Sequence, residues 1–420
     1  MLLRLGVKCY KSFIDLDFSP HLITVVMGPN AVGKSNLLDA IGLVSRLATT
    51  TLKNAFDGHR GLPLESFFYG DKGFEANLKG EWLRSTFAVD VYLSDSVVRE
   101  VNEAVSIKRQ GLDSIPTREA VRERYLRYTI ELEAHPASGN LRVRNEQLEA
   151  LRADTKEPKQ SRQPFISKSG NRLHLRMEGQ ARPTNYDIGL EHSIVSTPLY
   201  VPHYPHIVAF RKELERWRTF YLDPMTLMRE DVPVSEVQTI GPKGENLAAF
   251  VNTLKQDGRD LRNLNRTLAA ILPANNPRVD ARLKPEGRVE LVLTEGNIEY
   301  SARLVSEGTL RVIGLIAALH PKNPTVLVGY EEPENGVHPV RLGQIAELLK
   351  NAARVQHRQV IITTHSPSLP QYFDDKDIFV CRKEGAETKI SPFDSQGPIW
   401  RESEVGRALS DRVSRGDFGG

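Results

Sequence analysis

A chain of 420 residues can hold two or three domains and bury a large hydrophobic core. Its 40% hydrophobic and 26% charged residues are typical of soluble globular proteins, and a net charge of +3 permits nucleic-acid contact without requiring it. The apolar runs are too short to span a bilayer, and no secretory signal is seen at the N-terminus. The two cysteines, Cys9 and Cys381, suggest neither a disulfide framework nor a metal-ligand spacing. We therefore expect a cytoplasmic protein without direct membrane insertion.

Residues 1–95 form the first of three predicted regions, with strands around a single long helix. Helical spacing begins at Leu37 and ends near residues 49–51, whose β-branched side chains have low helix propensity. Alternating or continuous apolar residues predict strands over residues 2–7, 14–18, 22–27 and 87–93.

The character of the sequence changes after this, and we expect an inserted α+β subdomain over residues 96–235. Residues 156–182 are rich in basic residues, proline and glycine, which predicts an irregular segment. The other predicted elements are helices over 97–109, 117–127 and from Val208, and strands over 128–132 and 141–143.

The third region, residues 236–420, alternates strands with helices. This alternation is a βαβ pattern, which implies a parallel sheet covered by helices. The predicted helices run from Asn246 and over 261–272, 309–319 and 341–354, and the predicted strands run over 289–293, 298–304, 325–329 and 359–363.

A glycine-bounded loop joins the strand at 22–27 to the helix that follows it. It fits the pattern G-x-x-x-x-G-K-[ST], whose backbone N–H groups cradle phosphates at a helix N-terminus, whereas the alternative is a glycine-rich turn with a chance Lys-Ser pair. Lys34 would reach the β- and γ-phosphates of a nucleoside triphosphate, and the Ser35 hydroxyl would ligate Mg²⁺. The predicted phosphate-binding residues are Gly28, Pro29, Asn30, Ala31, Val32, Gly33, Lys34, Ser35 and Asn36.

Two adjacent carboxylates end the predicted strand at 325–329, in the segment GYEEPEN. Ligands of open α/β sheets bind at this end of the strands. We assign Glu331 to the metal, through its water shell, and Glu332 to the base that polarises the attacking water. The alternative is an acidic loop that caps a core strand.

His365 follows the next predicted strand, in the segment TTHSP. An imidazole at that strand tip can hydrogen-bond a γ-phosphate and thereby sense whether it is still attached. A lone histidine in this position is more often structural or merely exposed, but the spacing of about thirty residues after the acidic motif, with one helix between, favours the functional interpretation.

The segment SEGTLR opens the helix predicted over 309–319. Ser306 is expected to cap that helix, and Gly308 would let the backbone approach a phosphate closely. An ordinary capped helix is the alternative.

Together these motifs resemble the RecF/SMC/OLD-like ATPases of the ABC type, the AAA_21-like group of AAA family P-loop NTPases. The resemblance covers residues 1–95 and about 240–380. It implies an α/β fold: a P-loop NTPase with an ABC-type, RecF/SMC-like head, a mixed sheet core covered by helices, and an α+β insert. It also implies ATP hydrolysis with Mg²⁺ in a homodimer whose heads enclose two nucleotides. Ser306 and Gly308, in the signature segment, would then complete the ATP site of the other subunit.

The sequence departs from this family's pattern in three places. Glu331 stands where the group usually has aspartate, and the signature segment lacks the paired glycines of transporter ATPases. The glutamine of the family's Q-loop cannot be assigned, and residues 65–73 are our expectation for that loop.

A basic stretch in the insert offers a possible nucleic-acid contact, since it carries few acidic residues and could track a phosphate backbone. A solvated loop is the plainer alternative, and His203, Tyr204 and His206 are better explained as surface or core aromatics than as a ligand cluster. The basic residues are Lys156, Lys159, Arg162, Lys168, Arg172 and Arg176.

These features predict an ATP-driven switch protein that acts on DNA or gates a partner effector, in repair or in defence against phage. Because only about 55 residues follow His365 and no phosphodiester-cleaving cluster is seen, we expect the effector, a nuclease for example, on a separate chain. The alternatives are the ATPase subunit of an ABC transporter and a low-turnover, nucleotide-gated scaffold or toxin regulator.

Overall fold

A computed structural model describes residues 1–57, 60–68, 82–109, 119–159, 162–178, 184–272 and 276–396. The chain forms two compact units whose segments alternate along the sequence. The first unit comprises Met1–His21, Asp39–Trp217 and Lys383–Ile390, and the second comprises Leu22–Leu38, Arg218–Arg382 and Ser391–Gly420.

The described residues form a mixed α/β structure. Within them, no helix is both long enough and apolar enough to cross a bilayer. The strands are β1 Leu2–Tyr10, β2 Phe13–Phe18, β3 Ile23–Met27, β4 Leu83–Tyr92, β5 Tyr125–Ala134, β6 Leu141–Ala150, β7 Ile166–Ser169, β8 Arg172–Leu175, β9 Thr184–Asp187, β10 Trp217–Phe220, β11 Val232–Pro233, β12 Arg278–Leu283, β13 Arg288–Glu295, β14 Ile298–Ser301, β15 Leu327–Glu331, β16 Gln359–Thr364, β17 Ile378–Glu384 and β18 Glu387–Pro392. The α-helices are α1 Lys34–Leu47, α2 Leu52–Asp57, α3 Asp95–Arg109, α4 Pro205–Glu215, α5 Leu247–Gln256, α6 Gly258–Ile271, α7 Glu307–Ala318 and α8 Leu342–Arg354.

The first unit is built on an antiparallel sheet with the strand order β2-β1-β4-β5-β6-β7-β8-β9. Its strands alternate buried and partly exposed residues, as a sheet with one covered face requires. Phe87 of β4 pairs with Ile130 of β5, and Leu5 of β1 pairs with Val89 of β4. These four side chains are buried in the core of the unit.

The polar motifs lie on strands β3, β15 and β16 of the second unit, which stand in the strand order β15-β16-β3-β17. Strands β15, β16, β3 and β17 run parallel, so their carboxyl ends lie at one edge. Residues of β3 and β16 are buried along their whole length, as expected for strands covered on both faces. The predicted parallel sheet covered by helices is therefore confirmed.

A second sheet of this unit joins β11, β13, β12 and β14. Helices α5 and α6 pack against this sheet, and α7 packs against those two helices. Phe250 of α5, Leu268 of α6 and Ile313 of α7 share one buried hydrophobic cluster with Val25 and Ile362 of the parallel sheet. This cluster fixes the strands whose ends carry the candidate site.

Two predictions for the insert are wrong. No helix covers 117–127: residues 119–124 are irregular, β5 begins at Tyr125, and residues 117 and 118 lie outside the described part. The β5 segment buries alternate side chains against neighbouring strands, which outweighs its helix propensity. The segment expected to be irregular, 156–182, contains the hairpin of β7 and β8, whose turn has Gly170 at a φ of 58°.

Other predicted elements are present with shifted bounds. The strands expected over 128–132 and 141–143 extend to β5 and β6, which pair along most of their length. The strand expected over 298–304 stops at Ser301, and a short 3-10 helix, Ala302–Leu304, follows.

Candidate nucleotide-binding site

The predicted phosphate-binding loop lies between the end of β3 and the start of α1, in the second unit. Ala31 and Gly33 have positive φ angles of 65° and 100°, and the Asn36 N–H donates to the Gly33 carbonyl at 3.0 Å. A turn with left-handed residues before a helix N-terminus orients successive N–H groups toward one concave side. The local backbone therefore has the conformation that anion binding needs.

Gly28 holds this loop against β17. A Cβ at Gly28 would lie 2.3 Å from the backbone oxygen of Cys381, so only glycine fits there. The Cys381 thiol lies 3.9 Å from the Val32 carbonyl, and burial raises its pKa to about 12. Cys381 is thus a protonated packing residue beneath the loop.

Lys34 is buried at the start of α1 and folds back over its own loop. Its Nζ donates to the carbonyls of Gly28 at 2.8 Å and Pro29 at 2.6 Å. Burial lowers the pKa of Lys34, while the neighbouring carboxylates, of which Glu332 contributes most, act in the opposite direction. The ammonium is therefore held among acceptors and negative charges at the loop.

The two predicted metal ligands are brought together although 296 residues separate them. Ser35 Oγ donates to Glu331 Oε1 at 2.5 Å, because β15 ends beside the start of α1. A hydroxyl and a carboxylate are hard oxygen donors that suit Mg²⁺, which completes its shell with water and phosphate oxygens. Among the described residues, no group of three or more His, Cys, Asp or Glu side chains is placed to hold a metal.

Glu332 and His365 also meet. His365 Nδ1 lies 3.0 Å from Glu332 Oε1, an ion-pair distance, although the angle is not that of a hydrogen bond. Glu332 has a φ of 50°, its N–H donates to the Thr363 carbonyl at 2.9 Å, and its Oε2 accepts from Asn335 Nδ2 at 2.5 Å. A left-handed conformation costs a glutamate about 1–3 kcal/mol and is typical of functional sites.

Glu334 is a residue that the sequence reasoning missed. It is buried, and its Oε1 accepts from Thr364 Oγ1 and, at 3.4 Å, from the Ser366 N–H. Burial raises the pKa of this carboxyl group. The available signal was a third carboxylate, three residues after Glu331, in a segment otherwise suited to a turn.

The signature segment lies at the start of α7. Ser306 Oγ accepts from the Thr309 N–H at 3.2 Å, as a helix cap does. A Cβ at Gly308 would lie 2.0 Å from the Gly336 carbonyl oxygen. Packing against the loop after β15 therefore accounts for glycine at position 308 within this chain, and its expected approach to a phosphate in the site of the other subunit stays a prediction.

The basic stretch of the insert is partly neutralised within its own unit. Lys159 and Arg162 form ion pairs with Glu123 and Glu178, at 2.6 and 2.9 Å respectively. Arg172 lies 3.6 Å from Asp187. These partners offset the charge of three of the six basic residues that were expected to track a phosphate backbone.

The aromatic cluster of the insert has a structural explanation. His206 is buried and stacks on Phe165, and its Nε2 accepts from the backbone N–H groups of Arg122 and Glu123 at 3.0 Å each.

The expected Q-loop, 65–73, stays a prediction, because its residues 69–73 lie outside the described part of the chain.

The loop, the parallel sheet and the polar strand ends together define a P-loop nucleotide-binding fold. Its fold is similar to the crystal structure of an Smc head bound to the C-winged helix domain of ScpA, with a TM-score of 0.57 and 13% identity, covering 93% of this chain and 97% of that one. The Smc head with an extended coiled coil bound to the C-terminal domain of ScpA from Pyrococcus furiosus gives a TM-score of 0.49, at 13% identity over 93% and 95% of the two chains. The SMC head domain from Thermotoga maritima gives 0.43, at 13% identity over 93% and 98%.

The sequence itself assigns the family. The profile of the family described as "AAA domain, putative AbiEii toxin, Type IV TA system" matches residues 23–188 and 197–369. The chain belongs to this AAA family of nucleotide-binding ATPases. A search among curated proteins found no match.

Proposed function

We propose that this protein hydrolyses ATP with Mg²⁺ and uses the cycle as a switch. The observation that carries the proposal is the meeting of Ser35 with Glu331, and of Glu332 with His365, at the parallel strand ends beside the phosphate-binding loop. Hydroxyl, carboxylate and imidazole groups in that arrangement supply metal binding, water activation and phosphate contact.

Each residue has a separate proposed task. The loop from Gly28 to Asn36 cradles the phosphates, and Lys34 exchanges its carbonyl partners for β- and γ-phosphate oxygens. Ser35 and, through its water shell, Glu331 would hold Mg²⁺, which would neutralise charge on the transferred phosphoryl group. Glu332, oriented by Asn335, orients and polarises the attacking water, and His365 contacts the γ-phosphate.

The wider setting is proposed on the resemblance and on the SMC-type fold. Two copies form an ATP-dependent homodimer in which Ser306 and Gly308 of one subunit close the site of the other. The dimer acts on DNA or gates a separate effector protein, a nuclease for example, in repair or antiviral defence in the cytoplasm. The regions 1–95, 96–235 and 236–420 remain our proposed domain boundaries.

The test is Mg²⁺-dependent ATP hydrolysis by wild type and Glu332→Gln. Loss of a general base lowers turnover about 10²–10⁴-fold, whereas ATP binding is retained. Glu103→Gln, an exposed position on α3, is the matched control and keeps full turnover. Equal, negligible rates for wild type and Glu332→Gln contradict the enzyme proposal.

Dimerisation is measured separately by size-exclusion chromatography with light scattering. Glu332→Gln with ATP and Mg²⁺ is expected to run as a dimer, and with ADP as a monomer. A species that stays monomeric with ATP contradicts the proposed sandwich.

A low-turnover regulator of a toxin system is the second candidate, because the family description names such a system. In that case the binding of nucleotide, rather than its hydrolysis, switches the regulator between its active and inactive forms. Tight ATP binding combined with wild-type turnover no higher than that of Glu332→Gln supports this candidate over the first.

A further inference from the structure

A buried carboxyl group lies under the turn that carries His365. Glu334 belongs to the loop after β15, and only 7% of its side chain is exposed. Three polar groups at the end of β16 and in the turn after it converge on Glu334. Thr364 Oγ1 and the Ser366 N–H donate to its Oε1, and His365 Nδ1 lies 4.0 Å away.

These contacts constrain the residue between them. Thr364 is fully buried, and its hydroxyl donates to Glu334 while accepting from the Ser366 N–H at 2.9 Å. Both neighbours of His365 in the chain are thus attached to one carboxylate oxygen. The backbone of His365 is therefore held on both sides, and its imidazole lies beside Glu332, with 3.0 Å between Nδ1 and Oε1.

The other oxygen, Glu334 Oε2, is buried and has no hydrogen-bond partner among the described residues. A buried unpaired carboxylate oxygen lowers stability, so packing alone does not account for glutamate at this position. Glu334 also acts on the charges of the site, since it favours the ammonium form of Lys34 and is itself affected by His365 and Glu332.

We propose that Glu334 is a positioning residue for His365, which fixes the Thr364–Ser366 turn so that the imidazole can distinguish ATP from ADP. This inference rests on the proposed function, because it assigns a γ-phosphate contact to His365. Glu334 touches neither phosphate nor water in this role. It acts through the turn.

The experiment compares Glu334→Ala, Glu334→Gln and Thr364→Val in the full chain. Affinities for ATP and ADP are measured with Mg²⁺, and turnover is resolved into kcat and KM. We expect Glu334→Ala to lower kcat about 10- to 100-fold, the scale of a misplaced catalytic contact. Its preference for ATP over ADP is lost, while its affinity for ADP stays within about twofold of wild type, because the phosphate-binding loop is intact.

The other two variants test the hydrogen bonds themselves. Glu334→Gln keeps an acceptor oxygen for Thr364 and Ser366 and is expected to recover most of the ATP preference. Thr364→Val removes the hydroxyl at similar volume and is expected to reproduce the loss, and the double variant with Glu334→Ala adds little to it. If Glu334→Ala does not fold, Thr364→Val and Glu334→Gln carry the comparison.

Glu146→Gln is the control, because it alters a buried glutamate of the other unit and should lower stability without changing the ATP preference. An unchanged kcat and ATP preference in folded Glu334→Ala or Thr364→Val overturns the proposal. Equal losses of ATP and ADP affinity overturn it too, since they indicate general damage. Failure of wild type to bind or hydrolyse ATP would instead refute the proposed function.

Discussion

Each of the two compact units contains a deeply buried glutamate, and their surroundings differ. In the first unit Glu146 is fully buried, and both of its oxygens have partners. It accepts from the N–H groups of Ile194 at 2.7 Å and Val195 at 3.1 Å, and from the Tyr128 hydroxyl at 3.0 Å. In the second unit Glu334 has partners on one oxygen only.

This difference in hydrogen-bond pairing distinguishes a carboxylate that supports the fold, Glu146, from one beside the candidate nucleotide-binding site, Glu334. Folding favours full pairing of buried polar groups, and Glu146 meets that condition. Near the phosphate-binding loop, Glu334 Oε2, Thr363 Oγ1 and His365 Nδ1 are buried atoms without hydrogen-bond partners among the described residues. Such atoms also occur elsewhere among the described residues, but these three lie together where β15 and β16 end, as expected where a ligand contributes to the polar arrangement.

The largest effect on stability is expected from Glu146→Ala. It leaves two backbone N–H groups and a tyrosine hydroxyl buried without an acceptor, which lowers the free energy of unfolding by about 3–5 kcal/mol. Urea unfolding measures the change, and ATP turnover per folded molecule should not fall. Glu149→Ala, on the same strand but partly exposed, is the control and is expected to cost much less. Similar losses for both variants would contradict the structural role of Glu146.

The same carboxyl group predicts a pH dependence. Burial raises the pKa of Glu146 from 4.5 to about 7, so between these values the folded state binds a proton that the unfolded state releases. The free energy of unfolding therefore falls as pH rises from about 4.5 to 7, by roughly 3 kcal/mol from this group. Urea unfolding across this range should show the slope in wild type and lose it in Glu146→Gln. Identical slopes would count against the assignment.

A steric test belongs to the second unit. Gly308→Ala places a methyl group against the Gly336 carbonyl, and we expect a loss of about 1–3 kcal/mol in stability together with reduced turnover. Gly258→Ala lies at the start of α6, where the added Cβ would be 3.5 Å from the nearest atom, Arg262 Nη1. We expect this control to leave stability unchanged or slightly increased. Thermal unfolding measures both variants, and equal melting temperatures would contradict a steric requirement for glycine at position 308.

The smallest effect is expected at an exposed pair of the first unit. Arg172 and Asp187 lie 3.6 Å apart with 63% and 90% of their side chains exposed. Arg172→Ala should change the free energy of unfolding by less than about 0.5 kcal/mol, because water screens such a pair. A loss comparable to that of Glu146→Ala would show that exposure does not separate weak from strong polar contacts in this unit.

The sequence predicted the second unit better than the first, for a physical reason. Strands β3, β15 and β16 are continuous apolar runs that end in polar motifs, so local pattern and topology agree. The helix predicted over 117–127 is absent because its last residues join β5, where Arg127 pairs with Asp90 of β4 and Glu149 of β6. Local helix propensity carries no information about those partners.

At the site, local motifs predicted the loop and the acidic pair but not the supporting contacts. The pairing of Ser35 with Glu331 follows from placing both motifs at one sheet edge. The attachment of Glu334 to Thr364 and the contact of Gly308 with Gly336 depend on the path of a turn. Such a turn has no hydrophobic periodicity, and its residue pattern does not indicate which residues it will contact in space.

The position of β3 between β16 and β17 has a consequence for synthesis. On the ribosome, residues 23–27 emerge about 330 residues before their partner at 359–364, an interval of roughly 20–70 s at about 5–20 residues per second. During that time an apolar segment with unpaired edges is exposed in the nascent chain. The phosphate-binding loop therefore cannot be assembled as translation proceeds, and the growing polypeptide would benefit from a chaperone until its last parallel strand has emerged.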